Sequence, residues 1–418
     1  MNSRTALCGQ LSSSSCSTSR SRTEAAEMVL AMAEGLRGGM VVMHFPNGDA
    51  VELGEAGTTD HPLPRYHCSV HDENVFERVI AHGDIGFAEG YLAGEWDSDH
   101  LGDLLTLLAS NRDVLARAVY GSFWRLIGHR ILHLLRSNTR RGSRRNIEAH
   151  YDLGNNFYTE WLDPSMTYSS ALFAHPDQPL QAAQLNKYRS LLRDMGVQPG
   201  QHILEIGCGW GGLAEVATIE FGCRVTGLTL SPSQLAFAQA RAQAKGFADR
   251  AEFLLQDYRD ERGSYDHIIS IEMIEAVGER YWPSYFGQLS ARLKPGGRVG
   301  IQAITIRNDL FARYRRGTDF IQRYIFPGGM LPSPEKVQGQ AARAGLQLVG
   351  EHAFGLDYAR TLVRWREVFE QKLDRVRELG FDERFIRMWR FYLTYCEAGF
   401  RAGSTNVHHY VLAHTSEQ

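Results

Sequence analysis

The segment ILEIGCGWGG at residues 203–212 is the first stretch whose residue types could do chemistry. An apolar run ends in Glu205, and Gly207, Cys208 and Gly209 follow before a helical pattern begins. Glycines let the backbone turn sharply and approach a ligand, and a helix N-terminus offers free N–H groups. The spacing alone fits any nucleotide-like ligand, a nicotinamide dinucleotide included. Three neighbours narrow it to S-adenosylmethionine. Glu205 places a carboxylate where that cofactor's ammonium would lie. The next strand-like run ends in Thr229-Leu230-Ser231-Pro232-Ser233-Gln234, where Thr229 or Gln234 suits the ribose. No acid follows that strand, although an acid is the usual ribose ligand. A third run ends in Gln256-Asp257-Tyr258, suited to the adenine amine and ring face.

These residues need a scaffold that brings strand ends together. Residues 202–207, 223–230, 251–257, 265–271 and 298–306 read as strands, with helical stretches such as 212–221 and 231–247 between them. That alternation predicts an α/β fold with a doubly wound, mainly parallel sheet, and together with the cofactor residues above it reads as a Rossmann-like, class I S-adenosylmethionine-dependent methyltransferase sheet. Ahead of it, residues 24–36 have helical periodicity, residues 38–53 read as two strands around Pro46-Asn47-Gly48, and residues 100–109 read as a helix. Together they predict a small α+β N-terminal domain. The expected division is a disordered leader at 1–25, an N-terminal lipid-associated domain at 26–115, a basic amphipathic helix and linker at 116–147, a catalytic domain at 148–410 and a tail at 411–418. Residues 358–401 read as mostly helical.

Bulk composition limits the rest. The chain has 418 residues, a net charge of −3 and 43% apolar residues, so no global basic field argues for nucleic acid. Six cysteines include no CxxC pair, which suggests neither a zinc site nor a disulfide framework and favours a reducing cytoplasm. The apolar runs are too short to span a bilayer. One segment is unusual in charge: residues 115–147 carry eight arginines and no acid. It reads as a membrane-surface helix with a basic tether, or equally as a packed helix followed by a solvated hinge.

Longer motifs are more specific. HYDLGNNFYTEWLDPSMTYSSALF (150–173), GLTLSPSQ (227–234), LLQDYRD (254–260), EMIEAVG (272–278) and YIFPGGMLPS (324–333) flank the glycine loop. This set resembles the cyclopropane fatty acid synthase family, which includes the mycolic acid cyclopropane synthases. GFAEGYLAGEW (86–96) extends the resemblance into the N-terminal domain. The resemblance implies transfer of the methyl of S-adenosylmethionine to a cis double bond of a phospholipid acyl chain. A cyclopropane then closes once the resulting cation loses a proton. An alkene is a weak nucleophile, so orientation must supply much of the rate.

The resemblance also implies site residues. Tyr151, Tyr168 and Ser169 would contact the methionine part of the cofactor. A bicarbonate ion would take the proton, held by Ser170, Glu275, Gln302, Ile304 and Tyr358. Ser170 and Gln302 replace the cysteine and histidine usual in bacterial members, and Ala276 replaces a histidine. Cys396 matches a cysteine treated as a catalytic candidate in the family, but a methyl-cation mechanism gives a thiol no task. The implied partner is unsaturated phospholipid at the membrane surface, with the enzyme peripheral on the inner face and a homodimer allowed. The runner-up outcome is a methylene- or methyl-branched acyl chain after a different fate of the same cation. Methylation of a soluble amine, or a binding module with a lapsed site, are the remaining readings; the intact Glu205 and Glu275 argue against the latter.

Overall fold

The computed structural model describes residues 22–119 and 153–415. Most of the expected leader, nearly all of the basic segment 116–147, and Tyr151 lie outside the described residues. The first helix, Glu24–Ala33, starts where Thr23 Oγ1 accepts from Ala26 N at 3.2 Å. This satisfies one of the free N–H groups of the first turn.

The N-terminal domain is a four-stranded sheet with helices on it. Its strands are β1 (Met40–His44), β2 (Ala50–Gly54), β3 (Arg65–Val70) and β4 (Trp96–Asp97), in the order β2-β1-β3-β4. β1 and β2 form the expected hairpin over Asn47 and Gly48. Helices Asn74–His82 and Asp84–Ala93 are joined by Gly83 at φ 61°. They touch so closely at Gly86 that an added Cβ would lie 1.9 Å from the Arg78 carbonyl oxygen. Gly86→Ala is therefore expected to destabilise the fold by at least about 1–3 kcal/mol, read from denaturant unfolding of the full chain.

The catalytic domain is a seven-stranded sheet. β5 (His202–Ile206), β6 (Arg224–Thr229), β7 (Ala251–Leu255), β8 (Tyr265–Ile271) and β9 (Leu293–Ile306) run parallel. β10 (Leu346–Ala353) and β11 (Thr405–His414) join antiparallel beyond β9, giving β10-β11-β9-β8-β5-β6-β7. The order reverses between β5 and β8. Ligands bind outside the carboxyl ends of strands at such a switch point. β11 runs four residues past the expected end of the domain at 410, so residues 411–414 are sheet rather than tail. Its antiparallel pairing with β9 covers an edge that would otherwise expose unpaired backbone groups.

Helix geometry follows local signals. Helix Pro232–Lys245 has Ser231 as a side-chain cap, Pro232 in its first turn and left-handed Gly246 at its end. Helix Glu383–Arg401 is capped by Asp382 and buries Ile386, Trp389, Leu393 and Phe400 at helical spacing. That face and the N-terminal helices share one apolar core, which includes Tyr91, Trp96, Leu104, Trp365 and Trp389. Arg387 ties the two domains further: its guanidinium bonds Asp97 and the Tyr91 and Trp96 carbonyls, and lies 4.0 Å from the Tyr91 ring centroid. Among the described residues no helix is long and apolar enough to cross a membrane.

Candidate active site

A cleft of about 180 Å³ opens at the carboxyl ends of β5, β6, β7 and β8. Gly207 and Gly209 adopt φ 83° and 51°, conformations that side-chain-bearing residues rarely hold. Gly207 N and Cys208 N both donate to the Leu228 carbonyl, tying the loop to β6. Glu205 lies at the cleft wall, 4% exposed, and its Oε2 has no hydrogen-bond partner among the described residues. Burial pushes its carboxyl well above the usual range, and Arg241 opposes this. A buried carboxylate with an unmet acceptor is a place for a cationic donor, so the chain fits the ammonium of S-adenosylmethionine here.

Tyr168, Ser169, Cys208, Thr229, Gln234, Asp257 and Tyr258 line the same cleft. Thr229 Oγ1 donates to Gln234 Oε1 at 2.9 Å, so the two ribose candidates form one unit. Asp257 differs from the expectation. Its carboxylate is engaged by the Arg259 guanidinium at 2.5 and 2.9 Å, because its Asx-type turn brings Arg259 back over it. An adenine amine would have to share that carboxylate with Arg259. Ser169 Oγ accepts from Lys187 Nζ at 2.7 Å. Lys187 is fully buried, and burial brings its ammonium down to about 7 against the pull of Glu272 and Asp163.

A second, larger cavity of about 510 Å³ lies between the two domains. Val41, Met43, Leu53 and Cys68 of the small sheet form one wall. Ile304 and Ile306 of β9, with Leu362, Tyr392 and Cys396 of the C-terminal helices, form another. Asp84, Arg112, Arg313 and Asp319 add a charged patch to this lining. Burial raises the Asp84 carboxyl and takes that of Asp319 to about 6, with Arg112 opposing both shifts. The cavity meets the cofactor cleft at Tyr168, Glu272 and Ala276, which line both.

The expected bicarbonate cradle converges at that junction, but its donors point at a protein carboxylate. Ser170 N donates to Glu272 Oε1 at 2.8 Å and Gln302 Nε2 to the same oxygen at 2.7 Å. Tyr358 Oη donates to Glu272 Oε2 at 2.6 Å. The Ser170 hydroxyl turns away to the Ala171 carbonyl. Gln302 is oriented from behind by His409, whose Nε2 lies 2.9 Å from Gln302 Oε1. Burial takes His409 down to about 3, so the ring is neutral and donates through Nε2. Ile304 N donates to Glu275 Oε1 at 2.5 Å, and Glu275 Oε2 has no partner among the described residues. Burial first, then the nearby Glu272, raise Glu275 to about 8. With these donors satisfied by Glu272, the residues present do not fit a separate bicarbonate ion.

Cys396 lies in the cavity wall away from Glu205, and burial pushes its thiol far up. A thiol in that state is a wall atom rather than a nucleophile. Sequence reasoning missed Glu272 and Lys187. Lys187 sits on the buried face of helix Leu180–Asp194 with Ala183, Gln184 and Leu191, and that spacing is a readable signal.

Comparisons with known proteins bear on the family and the fold. The family described as mycolic acid cyclopropane synthetase matches residues 138–410. The tuberculostearic acid methyltransferase UfaA1 of Mycobacterium tuberculosis is 44% identical over 356 residues, 80% of each chain. The cyclopropane-fatty-acyl-phospholipid synthase of Escherichia coli is 32% identical, covering 84% of this chain and 88% of its own. Among solved structures, the mycolic acid cyclopropane synthase CmaA1 with SAH and CTAB superposes with a TM-score of 0.61 at 31% identity. That match covers 64% of this chain and 97% of the other.

Proposed function

Because the chain belongs to the mycolic acid cyclopropane synthetase family of S-adenosylmethionine-dependent methyltransferases, we propose that it methylates a cis double bond in a phospholipid acyl chain and closes a cyclopropane there. The observation that carries this reading is the meeting of the two cavities at Tyr168, Glu272 and Ala276. One cavity has an anionic anchor, Glu205, for a charged cofactor; the other is lined mostly by apolar side chains and is of ligand size.

When bound, S-adenosylmethionine supplies an electrophilic methyl group. The chain's own residues then do three things. Glu205 and the glycine loop would hold the cofactor in the cleft that adjoins the junction. The apolar walls hold the acyl chain beside it, and such positioning supplies large rate factors for a weak nucleophile. Tyr168, which lines both cavities, and Tyr358, which bonds Glu272, exclude water and present ring faces beside the Glu272 carboxylate to the developing cation. Bicarbonate has no step in this reading.

A second reading shares the transfer and differs afterwards. Replacing a free anion by a tethered carboxylate changes which proton of the cation is within reach. A hydride shift from the methylated carbon to its cationic neighbour moves the charge onto the carbon that bears the new methyl, and loss of a proton from that cation then gives a methylene chain or a methyl-branched alkene. The basic segment 116–147 would serve as the membrane tether in either case, with the enzyme peripheral on the inner face.

Incubation of the purified chain with S-adenosylmethionine and vesicles of cis-unsaturated phospholipid tests the reading. Mass spectrometry is expected to show a gain of one CH2 with loss of the alkene. Unchanged lipid contradicts it.

A further inference from the structure

The geometry points to Glu272 as the catalytic base of this enzyme, its side-chain carboxylate taking the proton that a free anion would otherwise remove. The inference rests on the methyl-transfer reading above and adds the residue that completes it.

Three observations carry it. The first is the donor set. Ser170 N, Gln302 Nε2 and Tyr358 Oη come from three separate parts of the chain and converge on the two oxygens of Glu272 at 2.6–2.8 Å. An oxyanion is what such a set stabilises. The second is place. Glu272 lines both the cofactor cleft and the acyl cavity, so its carboxylate faces the point where methyl and alkene meet. The third is backbone. Glu272 follows β8 at φ 49°, a left-handed conformation that a non-glycine residue holds only when its surroundings impose it. Its own N–H is pinned to the Gln302 carbonyl at 2.8 Å. Strain of this kind, retained at a cavity junction, aims the side chain.

The step balances within the site. The alkene π pair forms a bond to the methyl carbon as the methyl–sulfur bond breaks, and the sulfonium charge passes to the acyl chain as a carbocation. One C–H bond of the new methyl then breaks. Its electron pair closes onto the cationic carbon, and the proton goes to the Glu272 carboxylate. The thioether product leaves neutral at sulfur, and Glu272 returns its proton to solvent at the end of the cycle.

The electrostatic surroundings suit a base. Among the described residues, the titratable groups that face Glu272 are Lys187, Tyr358, Glu275 and Cys396. Burial raises its carboxyl above the usual range, while Lys187 and the Tyr358, Ser170 and Gln302 donors pull it back. Tyr358 and Gln302 are thus positioning residues. Removing either donor leaves the charged form less stabilised and moves the acid limb of the pH–rate profile to higher pH.

The test uses the full-length protein, S-adenosylmethionine and vesicles of dioleoyl phosphatidylglycerol, assayed in CO2-free buffer and again with added bicarbonate. Wild-type turnover is expected to be the same in both buffers. Glu272→Gln is expected to lose ~100-fold or more in turnover while still binding S-adenosylmethionine. Glu272→Gly vacates the cradle, and its turnover is expected to rise on adding bicarbonate or formate. Tyr358→Phe is expected to shift the acid limb upward. Wild-type turnover that depends on bicarbonate, or a Glu272→Gln variant with wild-type turnover, overturns the assignment while leaving lipid methylation standing. Absence of lipid methylation by the wild type in both buffers overturns the methyl-transfer reading, and this assignment with it. If Glu272→Gly does not fold, the wild-type and Glu272→Gln arms still decide.

Discussion

Glu205→Gln is expected to weaken S-adenosylmethionine binding by ~10–100-fold, the loss of one charge-assisted hydrogen bond worth about 1.5–3 kcal/mol. Glu205 is the penultimate residue of β5, is 4% exposed, and keeps one oxygen without a partner among the described residues. Arg241 is the charge that opposes its burial, and that guanidinium already bonds Glu215 and the Ser165 carbonyl. The ammonium of the cofactor therefore meets a need that the protein leaves open. Titration calorimetry reads the affinity directly.

The same residue makes a prediction about stability without cofactor. The folded-state pKa of Glu205 lies above its unfolded value. Such a group binds its proton more tightly when folded. Its favourable contribution is present below the ordinary carboxylate range and is lost as pH rises through the raised value. Melting temperatures of the cofactor-free wild type should thus fall relative to Glu205→Gln as pH is raised from the ordinary carboxylate range toward neutrality. Equal pH dependence of the two proteins would show that Glu205 is not held in this way.

The second large effect concerns the acyl cavity. Cys396→Trp is expected to lower turnover on long-chain lipid by at least ~100-fold, since small displacements of a reacting group cost that much. Cys396 sits in the wall with Phe391, Tyr392 and Tyr395, and a tryptophan there fills space that the chain would occupy. Cofactor affinity should be retained, because Cys396 does not line the cofactor cleft. Cys396→Ala removes the thiol and leaves the space, and it should work at close to the wild-type rate. Lipid methylation assays on both variants, with cofactor binding as the folding control, check the pair. A dead Cys396→Ala with normal cofactor binding would give the thiol a chemical role.

The parts of the molecule that the sequence displays are those whose signals are local. The alternation at residues 202–271 reports the parallel sheet because short, largely apolar strands alternate there with helical stretches, one of them marked by the Ser231 cap and Gly246. The glycine loop and Glu205 are adjacent in sequence, so their joint meaning is visible. β10 and β11 are less so. The stretch Thr405–His414 carries three histidines and reads poorly as a strand until β9 pairs with it. Glu272 is the clearest case of what a sequence conceals. Its role depends on Ser170, Gln302 and Tyr358, which are up to 102 residues away and meet only in the folded chain. The signal that was present is the pair Glu272 and Glu275 just after an apolar strand, at the carboxyl end where ligands bind. The Ser170 and Gln302 departures read as a weakened anion site when taken singly. With Glu272 in place they form a complete one.

The central claim is that the methyl of S-adenosylmethionine reaches an acyl double bond and becomes a ring carbon. Carbon-13 NMR of cis-unsaturated phospholipid after incubation with methyl-labelled S-adenosylmethionine tests this most directly. The label is expected in a high-field cyclopropane CH2. Label in a vinyl or open-chain methyl position would rule out ring closure, and lipid without label would rule out methyl transfer to the acyl chain.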